Sequence, residues 1–305
     1  MNKLSFVVPC YNSEKTIKIV VEEIISLVYH KYSYEIILVN DNSNDKTFDV
    51  IKGLCAKNDN IIGINLSKNF GQHSAILAGF SVVSGDIVIY SDDDGQTPLD
   101  EMFKLINELE LGYDIVFAKF RQKKNSIIQN FGTRLNNLMS TYLMDKPKNL
   151  HLGNFWASKR FIIDESVKSK NPNPYLAGIF LSITKKIGVV PTNHRERIIG
   201  KSNYTIMKML NLWLNGFTAY SVKPLRLASI LGVIFSISGF IYLCFIVFNK
   251  YRYPSIPMGY SSIMVVLLFI GGGILTTLGI IGEYIARIYM NINNVPQYII
   301  KERIN

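Results

Sequence analysis

Over the first 120 residues, compact runs of β-branched and aliphatic residues take turns with stretches in which apolar positions return every three or four residues. The runs Lys3–Val8, Tyr34–Val39, Ile61–Asn65, Asp86–Tyr90 and Asp114–Ala118 predict strands. Glu14–Val28, Asp45–Ala56, Gln72–Val83 and Leu99–Leu109 predict the helices between them, the last opened by Pro98. Repeated strand–helix–strand units with short connections predict an α/β fold, a mostly parallel sheet with helices on both faces. Ligands in such sheets bind beyond the carboxyl ends of the strands. That rule gathers Pro9–Asn12, Asn40–Asp45, Ser67–Gly71 and Asp92–Gln96 around one crevice.

The pattern changes in the last third. Leu227–Phe248 and Ser261–Gly282 contain no acid or base, and each is about 22 residues long, enough to cross a hydrocarbon core of about 30 Å as a helix. Joined by Asn249–Tyr260, they predict a transmembrane hairpin. Lys223, Arg226, Arg287, Lys301 and Arg303 flank its outer ends against Lys250 and Arg252 in its loop, which puts both termini in the cytoplasm. Ahead of the first run, Tyr204–Tyr220 carries Ile206, Met209, Leu210, Trp213, Leu214 and Phe217 at helical spacing, the pattern of an amphipathic helix lying at the membrane interface or against the preceding domain. The expected organisation is a cytoplasmic domain over 1–203, an interfacial region over 204–226, a hairpin over 227–289 and a tail over 290–305.

A net charge of +10 suits either nucleic acid or an anionic membrane surface. With two membrane runs and no nucleic-acid motif, the membrane is the expected partner and nucleic acid is not. Three cysteines, Cys10, Cys55 and Cys244, show neither metal spacing nor an even count, which favours a reducing compartment. The N-terminus runs directly into Leu4–Val8, too short for the apolar core of a signal peptide. No Gly-x-Gly-x-x-Gly follows the first strand and no P-loop appears, which argues against dinucleotide and P-loop folds.

The chemistry concentrates at Ser91-Asp92-Asp93-Asp94-Gly95-Gln96-Thr97-Pro98. In an extended segment Asp92 and Asp94 point the same way and Asp93 the other. Two converging carboxylates with the Gln96 amide oxygen make an all-oxygen site suited to Mg2+ or Mn2+. An acidic turn capping the next helix is the other reading of these residues alone. After the second strand, Asp41 has the chemistry to accept a pyrimidine ring N–H, with Tyr11 packing on the base. Turn formation is the alternative for Asp41, and for Asp45 a helix cap is the better reading. Lys68-Asn69-Phe70-Gly71-Gln72-His73 precedes a helix, which places the backbone N–H groups of this stretch to face nucleotide phosphates; His73 fits helix capping or packing better than phosphate contact.

Taken in order, these elements resemble family 2 glycosyltransferases with the GT-A fold, and specifically the polyprenyl-phosphate glycosyltransferases. The resemblance rests on Pro9-Cys10-Tyr11-Asn12, on Asn40-Asp41-Asn42-Ser43-Asn44-Asp45 with Asn in place of the family's first acid, and on Asp92-Asp93-Asp94-Gly95-Gln96 for its metal motif. It continues through Arg197-Ile198-Ile199-Gly200-Lys201-Ser202-Asn203-Tyr204, Pro224-Leu225-Arg226 and Gly282-Glu283-Tyr284. It implies a GT-A nucleotide-sugar-binding domain followed by a two-helix transmembrane hairpin. Pro9, Tyr11, Asn12, Asp41, Lys68, Asp92 and Asp93 would bind the nucleotide, and Asp92, Asp94 and Gln96 the metal. Arg121, Lys123, Arg134 and Ser202 would hold the acceptor phosphate, with Arg121, Arg134 and Arg197 serving catalysis beside the two aspartates. Lys124 is balanced between phosphate and solvent. Two departures stand out. Asp93 replaces a small residue, and Asn154 stands where many relatives carry an aspartate, so an acid role there is lost.

The reaction the resemblance implies is inverting transfer of a sugar from a nucleotide sugar, expected to be UDP-linked, to polyprenyl phosphate at the bacterial inner membrane. The His194-x-x-Arg197 context hints at an amino- or deoxy-sugar. A homo-oligomer is compatible with the resemblance. The alternatives are a family 2 transferase extending a glycan, for which Glu196 is the nearby candidate carboxylate, and a non-catalytic membrane-anchored subunit.

Overall fold

The computed structural model describes residues 3–120, 141, 147, 150, 152–193, 223–252 and 259–305. Its centre is a sheet of eight strands: β1 (Leu4–Cys10), β2 (Tyr34–Asn40), β3 (Ile61–Leu66), β4 (Ile87–Tyr90), β5 (Ile115–Phe120), β6 (Trp156–Lys159), β7 (Ile187–Thr192) and β8 (Ile300–Ile304). They lie in the order β7-β5-β6-β4-β1-β2-β3-β8. The middle, β4-β1-β2-β3, is parallel, with Leu4 opposite Tyr34 and Ile87, and Ile36 opposite Ile61. The five strands read from the sequence are all present. The sheet is mixed, however, because β6 runs antiparallel to both β4 and β5, and β8 antiparallel to β3.

Alternation along β1 explains the layering. Leu4, Phe6 and Val8 enter the core on one face, and Val7 enters the core on the other. Helices α1 (Ile17–Val28), α2 (Thr47–Cys55) and α4 (Met102–Glu110) cover the first face. Helices α3 (Gln72–Phe80), α5 (Arg160–Val167) and α6 (Leu176–Ile183) cover the second. Burial on both sides is why β1 and β2 are buried throughout, as parallel strands under two helix layers should be. Pro98 is followed by a 3-10 turn, Leu99–Glu101, before α4 begins.

At the amino-terminal end of the strands, one carboxylate ties three segments together. Glu35 on β2 accepts from Lys3 Nζ at 2.8 Å, Ser5 Oγ at 2.5 Å, the Ser84 amide at 2.6 Å, Ser84 Oγ at 2.5 Å and the Gly85 amide at 3.3 Å. Burial works against its charge, but the lysine and serine donors win and hold it down at about 2. Gly85 leaves no room for a side chain there: a Cβ would lie 2.4 Å from Ser5 Oγ and 2.7 Å from the Lys3 carbonyl oxygen.

Two long helices follow, α7 (Lys223–Arg252) and α8 (Tyr260–Ile292), and they pack on each other, with Phe235 of α7 near Gly273 of α8. Both extend past the apolar runs of the sequence. Glu283 pairs with Arg287 one turn on, at 2.7 Å. Several side chains of both helices lie outside the description, and among the described residues no helix is long and apolar enough to cross a membrane. The expected amphipathic segment Tyr204–Tyr220 lies outside the described residues. After α8 the chain returns to the domain. The Ser67 amide donates to the Ile299 carbonyl at 2.9 Å, β8 pairs with β3, and Asn305 caps the Asp59 and Ile61 carbonyls. Residues 300–304 of the tail are thus an edge strand of the sheet.

Candidate active site

The carboxyl ends of β1, β2, β3 and β4 lead into the four loops expected to meet, and hydrogen bonds join them. Asn12, in the left-handed region at φ 55°, donates its amide to Ser43 Oγ at 3.0 Å and accepts the Asn44 amide on Oδ1 at 3.0 Å. Asp41 accepts the amides of Phe70 and Gly71 at 2.8 and 2.9 Å. The Tyr11 amide donates to Asp93 Oδ2 at 3.0 Å. Gln72 Nε2 donates to Asp92 Oδ1 at 3.0 Å. The first loop is therefore tied to the second and fourth, and the third to the second and fourth.

Within this frame the acidic turn has a definite geometry. Ser91 is buried, the Asp92 amide reaches Thr97 Oγ1 at 3.3 Å, and Gly95 takes φ 73°, a left-handed conformation that glycine adopts without steric cost. Asp94 Oδ1 accepts the Gln96 amide at 3.0 Å. Asp92 Oδ1 accepts from the Tyr90 hydroxyl as well as from Gln72, and Asn154 adds a side-chain hydrogen bond. Gln72 Nε2 also donates to the Tyr90 oxygen at 2.5 Å. Burial pushes Asp92 up to about 7; the neighbouring charges of Asp94 and Asp93 add to this, and the Tyr90 and Asn154 hydrogen bonds oppose it. Asp93 is raised as well, chiefly by burial. Burial and the Asp92 charge push the Tyr90 phenol well above its ordinary range, so it stays a donor.

Crowded carboxylates raised in this way are what a bound cation would relieve, and the donors are oxygens. The residues thus fit a hard divalent ion. Among the described residues no group of three or more His, Cys, Asp or Glu is arranged to hold a metal; the expected set of Asp92, Asp94 and Gln96 has only two such members.

Other expectations fare differently. Asp41 is 4% exposed and both its oxygens hold the Phe70–Gly71 turn, so its visible work is structural. The same two bonds claim the Phe70 and Gly71 N–H groups, two of those in Lys68–His73 that were expected to face phosphate. The N-cap position of α2 is Lys46, and Asp45 just before it secures the turn into the helix, with Oδ1 accepting the Thr47 amide at 3.0 Å and its hydroxyl at 2.5 Å, and Oδ2 the Glu14 amide at 3.2 Å. Asn40, which stands where the family has an acid, spans Asn65 Oδ1 and the Ser43 hydroxyl and amide. His73 packs edge-on against Tyr175 with centroids 5.5 Å apart, and burial lowers it to about 4, so it is neutral. Tyr11 is 43% exposed at the crevice mouth, Pro9 is buried in β1, and the exposed Lys68 lies over the Phe70 ring. Arg121, Lys123, Lys124, Arg134, His194, Glu196, Arg197 and Ser202 lie outside the described residues.

Sequence reasoning passed over Tyr90 and Gln72. For Tyr90 a signal existed: it lies two residues before Asp92 on a strand, so both side chains share a face. An open cleft lined by His30, Tyr32, Ile87 and Phe103 sits towards the other end of the sheet and takes no part in the site.

The fold is an α/β sheet with an acidic turn at its strand ends, and the chain belongs to glycosyl transferase family 2, whose profile matches residues 5–169. Residues 223–288 match the GtrB C-terminal hairpin. Among relatives, the chain is 32% identical to the undecaprenyl-phosphate 4-deoxy-4-formamido-L-arabinose transferase of Proteus mirabilis, over 99% of this chain and 94% of that one. It is 31% identical to the SfII prophage-derived bactoprenol glucosyl transferase of Shigella flexneri, over 98% of each. The fold is similar to that of glucosyl-3-phosphoglycerate synthase from Mycobacterium tuberculosis, solved with Mg2+ and UDP, at TM-score 0.52 and 18% identity over 71% of this chain and 77% of that one. The same enzyme solved with Mn2+, UDP and phosphoglyceric acid gives a TM-score of 0.51 at 18% identity, over 71% and 76%.

Proposed function

We propose that this protein transfers a sugar, with inversion, from a UDP-sugar to polyprenyl phosphate, working on the cytoplasmic face of a bacterial inner membrane that the α7–α8 hairpin spans. The observation that carries the reading is the convergence of the four strand-end loops on the Asp92–Asp94 turn in a chain that also matches the GtrB hairpin. The names of the full-length relatives support the acceptor. The membrane placement is supported by the two uncharged runs and by the exposed Ile230, Ile234, Phe240 and Leu275 on the hairpin.

In this reaction an acceptor phosphate oxygen forms a bond to the anomeric carbon as the bond from that carbon to the diphosphate breaks, the electron pair leaving with the nucleoside diphosphate. Asp92, Asp94 and Gln96 would hold Mg2+ or Mn2+. The ion's contribution is to neutralise charge on the diphosphate leaving group. Tyr11 offers an exposed ring for the base. A phosphate nucleophile is already an anion and needs no base, so Asn154 in place of an acid costs nothing at that step. Its bond to Asp92 gives it a different use, steadying the carboxylate. Arg121, Arg134 and Arg197, with Lys123 and Ser202, supply the cations and hydroxyl that would hold acceptor phosphate beside an anionic donor.

The test offers labelled UDP-sugars with undecaprenyl phosphate and Mg2+ or Mn2+ to the full-length protein in detergent. A metal-dependent, acid-labile glycolipid is the expected product. Binding of UDP without any such product would point to a glycan acceptor or to a non-catalytic subunit, and failure to bind UDP or GDP would end the nucleotide-sugar reading.

A further inference from the structure

We propose that Tyr90 and Gln72 are positioning residues for Asp92, fixing the rotation of its carboxylate so that a divalent cation meets it in one geometry. The inference rests on the metal-assisted reading above and assigns work to two side chains that reading does not use. Both hydrogen bonds fall on the same oxygen, Oδ1. A carboxylate on a turn otherwise rotates about its last bond, and that freedom must be surrendered when a cation binds.

Neither donor is free to follow such a rotation. Tyr90 is 2% exposed, and its ring lies flat against Trp156, with centroids 5.4 Å apart and planes 11° from parallel. Gln72 is the first residue of α3, and the two amides just before it are gripped by Asp41. Gln72 also donates to the Tyr90 oxygen, so the two donors hold each other. A line of contacts thus runs from Asp41 after β2, through the start of α3, to Asp92 after β4. This gives Asp41 a part in the site at one remove from any nucleotide. The plainer reading is that a buried phenol needs some acceptor and found the nearest one. The two readings differ in what happens to cation affinity when the phenol hydroxyl is removed and its ring is kept.

The experiment measures Mn2+ affinity of the full-length protein in detergent with UDP present, following the free Mn2+ signal by electron paramagnetic resonance, alongside thermal unfolding. Tyr90→Phe keeps the stack on Trp156 and loses only the donor. Partners of this kind typically contribute 10–100-fold to metal affinity, so an affinity about tenfold weaker is expected, with Gln72→Met shifting it in the same direction. Because both act on one oxygen, the second substitution should cost less in the double variant than it does alone. Should Tyr90→Phe fail to fold, Gln72→Met carries the measurement. Unchanged Mn2+ affinity in the folded variants, while Asp92→Asn abolishes binding, would overturn the positioning role and leave the metal reading standing. Unchanged affinity in Asp92→Asn itself would remove the metal reading and this inference together.

Discussion

Two carboxylate centres sit at opposite ends of the same parallel strands, and their surroundings have opposite effects. Glu35, at the amino-terminal end, receives five hydrogen bonds, has Lys3 beside it, and is held at about 2. Asp92, at the carboxyl end, also receives hydrogen bonds, yet it has two like charges as neighbours and stands at about 7. Burial opposes the charge in both. What separates them is whether the neighbours compensate it. A compensated carboxylate is a rivet between chain segments. One left uncompensated is what the proposed cation would relieve, and strongly perturbed groups of this kind gather at functional sites.

Substitutions at the two ends should therefore fail in different ways. Asp94→Ala is expected to lower transfer by about 10²–10³-fold, the scale set by losing one electrostatic support of a leaving group, while stability moves by less than about 1 kcal/mol. Sugar transfer and thermal unfolding on the same sample check it. A variant that unfolds early but still turns over would break the contrast.

Glu35→Ala should do the reverse. It leaves the Ser5 hydroxyl and the amide and hydroxyl of Ser84 without their acceptor, while Lys3 and the Gly85 amide keep only Ser84 Oγ and Ser5 Oγ, at a cost of about 3 kcal/mol, with turnover retained wherever the protein is still folded. The same rivet predicts a pH dependence. Its folded value, about 2, lies below the ordinary value of 4.5. The stabilisation is thus complete above about pH 4.5 and is lost as pH falls towards 2, in all about 3 kcal/mol. Unfolding followed across that window should show the loss in the native protein and a flattened profile in Glu35→Gln. Next to it, Gly85→Ala drives a methyl group against Ser5 Oγ and the Lys3 carbonyl, and is expected to cost about 1–3 kcal/mol in the same assay without changing the affinity for UDP.

How far the sequence discloses these two ends depends on the length and period of each element. The five strands through Ile115–Phe120 were legible because burial on both faces leaves short aliphatic, β-branched runs bounded by polar turns. Trp156–Lys159 was not, since four residues are too few to show a period, and neither was Ile300–Ile304, where Lys301, Glu302 and Arg303 read as tail. The meeting of the four loops follows from topology and was legible in the sequence. The work of Glu35 was not, because it depends on Ser84 and Gly85, almost fifty residues away, folding back over β2. The same limit hid the claim that Asp41 makes on the Phe70 and Gly71 amides.

Asp41 is the case that sharpens the contrast, because it stands at the site end yet is bonded like a rivet. Burial raises it, and the Phe70 and Gly71 amides oppose that rise. In Asp41→Asn one oxygen still accepts an amide, while the new NH2 faces the other amide donor and leaves it unsatisfied. The expected loss is about 1 kcal/mol of stability, the low end for an unmade buried hydrogen bond. If Asp41 serves only the turn, UDP should bind as well as before, and Mn2+ affinity should fall slightly through Gln72. If it also recognises the base, UDP affinity should fall severalfold while inorganic diphosphate still competes equally for the Mn2+-bound protein. Calorimetric titration of the native protein and Asp41→Asn with UDP and with diphosphate separates the two, because a contact to the nucleoside is made by UDP and not by diphosphate.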